Sequence, residues 1–302
     1  MSVFFSIIIP TYNRWNHLRT AIDSVLAQTF TDFELIVVND GSTDNTVVNF
    51  DKTYNGNSKV RLITQSNQER GAARNNGLKN AAGKYAFFLD SDDIMFKNHL
   101  ETLYNKIREL KEPDFLTTKY QFIRNGKITF PDVCKIKEGY YDYKFFLNGN
   151  PIGANVCVRV ANKDLHPFES DRKYAITEDW MFHVQNYRNN KLYVIDKITI
   201  QMHDHDERSM RADNFVIIQR TKLAGEWIHQ HVSLTEHDKR TLDAFVNYFV
   251  AIHSYVDGKK NETLRHLFKA IRATGMKKKY GVLLAKCLVG HSIIQKMKTI
   301  KE

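Results

Sequence analysis

The sequence predicts an α/β protein: a Rossmann-like, mostly parallel sheet flanked by helices, followed by an all-helical C-terminal appendage. Three observations predict it. Short apolar runs alternate with segments of helical periodicity as far as residue 111, the pattern of a wound parallel sheet. Polar and acidic clusters stand directly behind the apolar runs, where an open α/β sheet binds its ligands. Beyond about Asp213 the periodicity is helical only.

Residues 4–9 alternate too little for a half-exposed strand and predict a buried parallel one. Leu18, Ala21, Ile22, Val25 and Leu26 carry helical spacing through residues 16–28. A second buried strand is expected at 33–38. Gly41-Ser42-Thr43-Asp44 then supplies turn and cap chemistry before a helix ending near Tyr54. Further strands are expected at 60–64 and 85–89. They bracket a helix at 70–81 that Gly83 is expected to close. A helix at 98–110 stops before Pro113, and Asn125-Gly126 marks a hairpin between 115–122 and 127–130. Residues 131–150 give no clear pattern. Strands at 155–160 and 192–201 flank a helix at 176–189, and four helices follow, at 213–231, 235–256, 260–274 and 277–298.

A chain of 302 residues can bury a full core and fits one α/β domain with an appendage. Cys134, Cys157 and Cys287 lie far apart, without disulfide or metal spacing, as in a reduced cytoplasmic protein. The short apolar start has no basic lead and runs straight into a motif, so no signal peptide is expected. No stretch offers the roughly 18–20 apolar residues of a spanning helix. The net charge is +10. Residues 259–302 hold 12 Lys/Arg and two Asp/Glu, so this segment carries all of it and residues 1–258 are neutral. An anionic membrane surface is the acidic partner considered for it. Nucleic acid is not expected, because no recognised module accompanies the charge.

Four segments carry chemistry: Ile9-Pro10-Thr11-Tyr12-Asn13, Val38-Asn39-Asp40-Gly41-Ser42, Gly71-Ala72-Ala73-Arg74-Asn75, and Leu89-Asp90-Ser91-Asp92-Asp93. A carboxylate behind a buried strand, Asp40, can accept the N3–H of a uracil ring; the alternative is a helix N-cap. Arg74, preceded by Gly71, can pair with a diphosphate oxygen or form a salt bridge. Three close carboxylates at 90–93 repel unless a cation compensates, and hard oxygens suit Mg²⁺ or Mn²⁺. Thr177-Glu178-Asp179-Trp180 places acids in a first helical turn, with Thr177 a plausible cap.

The order, spacing and wording of these segments resemble family 2 of the glycosyltransferases, over roughly residues 3–210 and most strongly to Asp93. The resemblance implies a GT-A fold, with a catalytic domain over 1–210 (nucleotide half about 1–111, acceptor half about 112–210) and a basic helical region over 211–302. It implies inverting transfer from a UDP-sugar to a glycan or lipid-linked oligosaccharide, with Mn²⁺ or Mg²⁺. It assigns Pro10, Thr11, Tyr12, Asp40 and Asn67 to base and ribose, Arg74 to the diphosphate, and Asp90 with Ser91 to the ribose or a metal-bound water. Asp92 is the implied metal ligand, Asp179 the base and Glu178 its neighbour. Asp93 is expected to orient the acidic cluster or to cap the next helix. In His203-Asp204-His205-Asp206-Glu207-Arg208 the resemblance points to a loop over the diphosphate, with His205, and after it His203, as a metal ligand and Arg208 on a phosphate. Two other readings stand beside it. A nucleotidyltransferase would carry a glycine-rich basic loop after the first strand, and a silent binding scaffold would lack the metal ligand or the base.

In the appendage Leu264, Leu267, Phe268 and Ile271 fall on one helical face and Leu284, Cys287, Leu288 and Ile294 on another. Lys277–Lys279, Lys286, Lys296 and Lys298 surround the second. That basic amphipathic pattern predicts either loose attachment to the inner face of the cytoplasmic membrane or a packed subdomain with a solvated basic side.

Overall fold

The computed structural model of the chain describes residues 3–204 and 213–289. The first third is a run of β–α units: β1 (Phe5–Thr11), α1 (Trp15–Leu26), β2 (Phe33–Asn39), α2 (Thr46–Tyr54), β3 (Val60–Thr64), α3 (Glu69–Lys79) and β4 (Tyr85–Phe88). β1 is buried along its whole length, as a central parallel strand covered on both faces must be. α1 buries Leu18, Ala21, Ile22 and Val25, the i, i+3, i+4, i+7 set of one helical stripe. Burial of each of the Leu, Ile and Val side chains contributes about 1.5–3 kcal/mol.

A second run completes the sheet: β5 (Asp93–Met95), α4 (His99–Glu109), β6 (Phe115–Arg124), β7 (Lys127–Thr129), β8 (Gly139–Tyr141), α5 (Tyr143–Phe146), β9 (Cys157–Arg159), α6 (Glu178–Asn186) and β10 (Leu192–His203). The strand order is β3-β2-β1-β4-β9-β6-β10-β5, with β7 on β6 and β8 on β10. β1 to β4 are mutually parallel and β10 runs parallel to β6, while β9 joins the two blocks antiparallel to both β4 and β6. The sheet is therefore mixed, and the ends of β1, β2, β3, β4 and β10 deliver the predicted motifs.

Several local expectations change. Asp93 caps no helix: it opens β5, a three-residue strand antiparallel to β10, and α4 begins only at His99. Gly83 is not a C-cap either. α3 ends at Asn80, and a Cβ on Gly83 would lie 2.6 Å from the Ser6 backbone nitrogen, so this glycine lets the chain enter β4 directly against β1. Residues 131–150, without pattern in the sequence, contain a 3₁₀ turn (Asp132–Lys135), β8 and α5.

The chain divides into two compact units, residues 1–146 with 150–206, and residues 147–149 with 207–302. Among the described residues the second unit contains α7 (Asn214–His231), α8 (Glu236–Val256), α9 (Lys260–Thr274) and α10 (Lys278–Val289). α8 opens with a full capping box between Thr235 and Asp238. Ala244 and Ala251 of α8 pack with Leu267 and Ala270 of α9 and Tyr280 and Leu283 of α10, a core belonging to this unit. The apolar face of Leu264, Leu267, Phe268 and Ile271 is not buried as a whole. α9 turns Thr263, His266, Leu267 and Ala270 inward and leaves Phe268 exposed.

Candidate active site

The first two motifs clasp one another. Asn13, at a positive φ that asparagine tolerates, accepts the Thr43 backbone N–H on Oδ1 at 2.7 Å and donates from its own N–H to Ser42 Oγ at 3.0 Å. Asp40 donates its N–H to the Thr11 carbonyl at 2.9 Å and is buried. Its Oδ1 accepts from Gln65 Nε2 at 2.8 Å and from the Gln68 backbone N–H at 2.9 Å, and Gln65 in turn accepts from Asn76 Nδ2 at 2.7 Å. Asp40 is not the cap of α2; Asp44 accepts from the Thr46 N–H instead. Thr11 Oγ1 is buried without a hydrogen-bond partner among the described residues. Tyr12 is 44 % exposed, so it is not a core residue.

The third and fourth motifs meet at Arg74. Its side chain is 1 % exposed; Nη2 lies 2.6 Å from Asp90 Oδ1 and Nη1 lies 2.8 Å from Glu178 Oε1, with the guanidinium over the Phe168 ring. Burial works against its charge, but Asp90 and Glu178 outweigh burial and raise its pKa. A side chain so enclosed presents no surface to a diphosphate in this structure. Gly71 makes room for a neighbouring loop: a Cβ there would lie 2.2 Å from the Glu169 carbonyl oxygen, so the loop before α6 passes directly over α3. Asn75 fastens the same loop, exchanging two hydrogen bonds with the Phe168 backbone at 2.8 and 2.9 Å.

Ser91 is buried beside Asp90. Asp92, 14 % exposed, pairs with Arg14 Nη1 at 3.3 Å, and His203 Nδ1 donates to the Asp92 backbone carbonyl at 2.8 Å. The end of β10 thus meets the acidic motif behind β4. His205 and Arg208 lie outside the described residues. Among the described residues no group of three or more His, Cys, Asp or Glu side chains is gathered as a metal cluster. The donor set at Asp92 still suits Mg²⁺ or Mn²⁺, which typically take one or two carboxylates and complete their shell with substrate phosphates and water.

α6 begins under strain. Ile176, β-branched, has φ of 71°, a conformation that costs on the order of 1–3 kcal/mol and clusters at functional sites. Thr177 stands at the N-cap position, but its hydroxyl donates to the Tyr174 carbonyl at 2.9 Å and makes no cap bond. Glu178 is buried, and its Oε2 has no hydrogen-bond partner among the described residues. Asp179 accepts the Trp180 backbone N–H at 2.7 Å. Burial, followed by the charge of Glu178, pushes its pKa up to about 7, against Arg74 and the Trp180 N–H. The helix N-terminus therefore does not outweigh burial and the Glu178 charge, and Asp179 titrates near neutrality. Trp180 is buried and donates its indole N–H to the Phe146 carbonyl.

Asn67 is half-buried, and its Oδ1 accepts from Arg172 at 2.5 Å. Arg172 also reaches Glu69 and so ties the 3₁₀ turn before α6 to the start of α3. Sequence reasoning passed over Arg14, Gln65, Gln68 and Arg172. The first three had a signal, because Arg14 continues the first motif and the two glutamines flank Asn67 in a polar run behind β3. Arg172 had none.

A model of glycosyl transferase family 2 matches residues 6–164. The chain is 39 % identical over 117 residues to glycosyltransferase GlyA of Streptococcus pneumoniae, a match covering 39 % of this chain and 17 % of GlyA. It is 40 % identical over 197 residues to the poly(ribitol-phosphate) β-N-acetylglucosaminyltransferase TarP of Staphylococcus aureus, covering 63 % of this chain and 59 % of TarP. The chain thus spans less than two thirds of these curated relatives. The crystal structure of S. aureus TarS 1–349 in complex with UDP-GlcNAc superposes with a TM-score of 0.68 at 24 % identity, over 93 % of this chain and 83 % of that one, a likeness of fold.

Proposed function

Because the chain belongs to glycosyl transferase family 2, we propose that it transfers a sugar from a UDP-sugar, with inversion, to a glycan or lipid-linked oligosaccharide. The observation that carries this reading is the Arg74 bridge. It joins the acidic motif behind β4 to the α6 start bearing Glu178 and Asp179, next to the clasped loops of Thr11 and Asp40.

Asp40 is assigned to the uracil N3–H, held in place by Gln65 and Gln68. Thr11, whose buried hydroxyl lacks a partner among the described residues, is assigned with Pro10, Tyr12, Asn67 and Ser91 to the base and ribose. Asp179 is the base. As the acceptor oxygen attacks the anomeric carbon, its proton passes to the Asp179 carboxylate, while the bond from that carbon to the diphosphate breaks on the opposite face. A carboxyl titrating near 7 is suited to that step, since it is substantially ionised at neutral pH yet basic enough to take the proton. Asp92 would hold a divalent ion, with a histidine of the 203–205 segment, and the ion would supply charge neutralisation for the departing diphosphate.

UDP-GlcNAc is the first donor to test, being the sugar nucleotide in the TarS complex and consistent with the activity in the TarP name. The test is donor hydrolysis across a panel of UDP-sugars with Mn²⁺, beside Asp92→Ala and Asp179→Asn. Hydrolysis of one donor, lost in Asp92→Ala, supports the reading. No hydrolysis together with no UDP binding overturns it.

For the acceptor side we assign peripheral attachment at the inner face of the cytoplasmic membrane to the helices after residue 259. Over residues 263–289 there are seven Lys/Arg and no acidic residue, and Leu288, Val289, Val282 and Phe268 are exposed among them. Among the described residues no helix is long and apolar enough to cross a membrane.

A further inference from the structure

Arg74 was expected to touch the donor. Its surroundings give it another task. Both ends of the guanidinium are used, Nη2 on Asp90 and Nη1 on Glu178, and the two carboxylates come from segments 88 residues apart in sequence. Asp90 stands behind β4 in the donor-side acidic motif. Glu178 opens α6 next to Asp179. A lysine in this place offers one point charge, whereas the planar guanidinium spans two carboxylates in fixed directions. The site is built around that fork. Gly71, one turn before Arg74, admits the Glu169 carbonyl into space a side chain would fill. Asn75 pins the Phe168 backbone, and the Phe168 ring lies against the guanidinium.

We propose that Arg74 is a positioning residue: its buried guanidinium locks the donor-side carboxylate Asp90 to the helix start that carries the base, and acts on Asp179 through Glu178. This rests on the reading of Asp179 as the base. The charged groups around Asp179 are Glu178 on its own helix, Asp90 behind β4, and Arg74 on α3, with Arg70 3.8 Å from Glu178. His183, one turn along α6, is held neutral at ordinary pH because burial lowers its pKa to about 4. Glu178 and Asp90 raise the proton affinity of Asp179 and Arg74 lowers it, so removing Arg74 and removing Glu178 move Asp179 in opposite directions.

The experiment follows the Asp179 carboxyl directly, by carboxyl-¹³C chemical shift in aspartate-labelled protein assigned with Asp179→Asn, and in parallel records the pH profile of donor hydrolysis. In Arg74→Met the Asp179 titration should move up by about one pH unit and in Glu178→Gln down by a similar amount. In the double variant, which restores the charge balance of the pair, it should return near the wild-type position. Arg74→Lys keeps the charge but cannot span both partners; its titration should stay near wild type while kcat falls by about 100-fold, as misplacement of a reacting group does. If Arg74→Met does not fold, the downward shift in Glu178→Gln and the kcat of Arg74→Lys carry the test. An unmoved titration in Arg74→Met or in Glu178→Gln, or full kcat in Arg74→Lys, overturns the proposal. A wild-type protein that neither hydrolyses nor binds a UDP-sugar defeats the reading of the site instead, and the NMR titration still decides whether Arg74 and Asp179 are coupled.

Discussion

Asp179 gathers the most chemistry at the scale of one residue. Its folded-state pKa of about 7 lies above the roughly 3.9 of a free aspartate, so between those values the folded chain holds a proton that the unfolded chain has lost. Its contribution to stability is therefore full below about pH 4, declines as pH rises, and is gone above about 7. On the proposed role of Asp179, activity runs the other way, because a base must be ionised. The acid limb of kcat/KM is expected to break near pH 7, while Asp179→Asn abolishes transfer and raises the melting temperature relative to wild type at pH 8. A break at pH 5 or below, measured across a constant-ionic-strength buffer series, would remove the argument for a poised base. Asp40 gives a second expectation. Asp40→Asn keeps one carbonyl acceptor for the Gln68 N–H but loses the charge, and affinity for UDP should drop by about 10–100-fold in calorimetric titration, the cost of a hydrogen bond to a charged group.

These assignments show what was and was not legible in the sequence at this scale. Asp40, Asp90, Asp92, Glu178 and Asp179 could be picked out because each sits at the end of an apolar run or at a helix start. Periodicity marks position along the chain, but it says nothing about partners. That Arg74 would be sealed between two carboxylates, or that Arg14 would stand on Asp92, depends on contacts across 16 to 104 residues of sequence. No local pattern encodes those contacts.

Among elements, the same contrast separates long segments from short ones. α1, β2, α8 and α9 were readable from their apolar spacing, since an apolar stripe or an almost wholly buried run leaves little alternative. β5 and β8 have three residues each and exist because neighbouring strands offer them hydrogen bonds, so no internal pattern announces them. The loop leading into α6 is the element on which the site depends most. It is pressed onto α3 at Gly71, tied by Asn75 and by Arg172, and enters the helix through the strained Ile176. Gly71→Ala would force a methyl group against the Glu169 carbonyl. It is expected to destabilise the fold by about 1–3 kcal/mol, as overpacking does, and to lower kcat by displacing Asp179. Thermal denaturation together with donor hydrolysis checks this. An unchanged melting temperature would mean that the loop shifts freely, and would weaken the view that it holds the base in place.

For the whole molecule, charge is distributed as two regions of different character. Residues 1–258 are neutral and residues 259–302 hold the entire +10. A spread of basic residues would serve solubility, but here the lysines accompany exposed apolar side chains. α10 turns Tyr280, Leu283 and Cys287 inward and still leaves Val282, Leu288 and Val289 outside, with Leu288 74 % exposed. A helix apolar on two sides needs something against the second side. Lysines 278, 279 and 286 on the same helix make an anionic surface the complementary one. The intact protein is therefore expected to sediment with vesicles containing phosphatidylglycerol and not with purely zwitterionic ones. Binding should weaken steeply between 50 and 500 mM salt, since roughly 1 kcal/mol is available per basic residue near such a surface and it is screened beyond a Debye length. Leu288→Asp should reduce binding through the apolar contribution, and Lys278→Glu with Lys279→Glu through the charge. Neither should alter hydrolysis of a free UDP-sugar, because both substitutions lie outside the residues assigned to the donor site and the base. Equal binding to neutral and anionic vesicles would assign the basic helices to another partner.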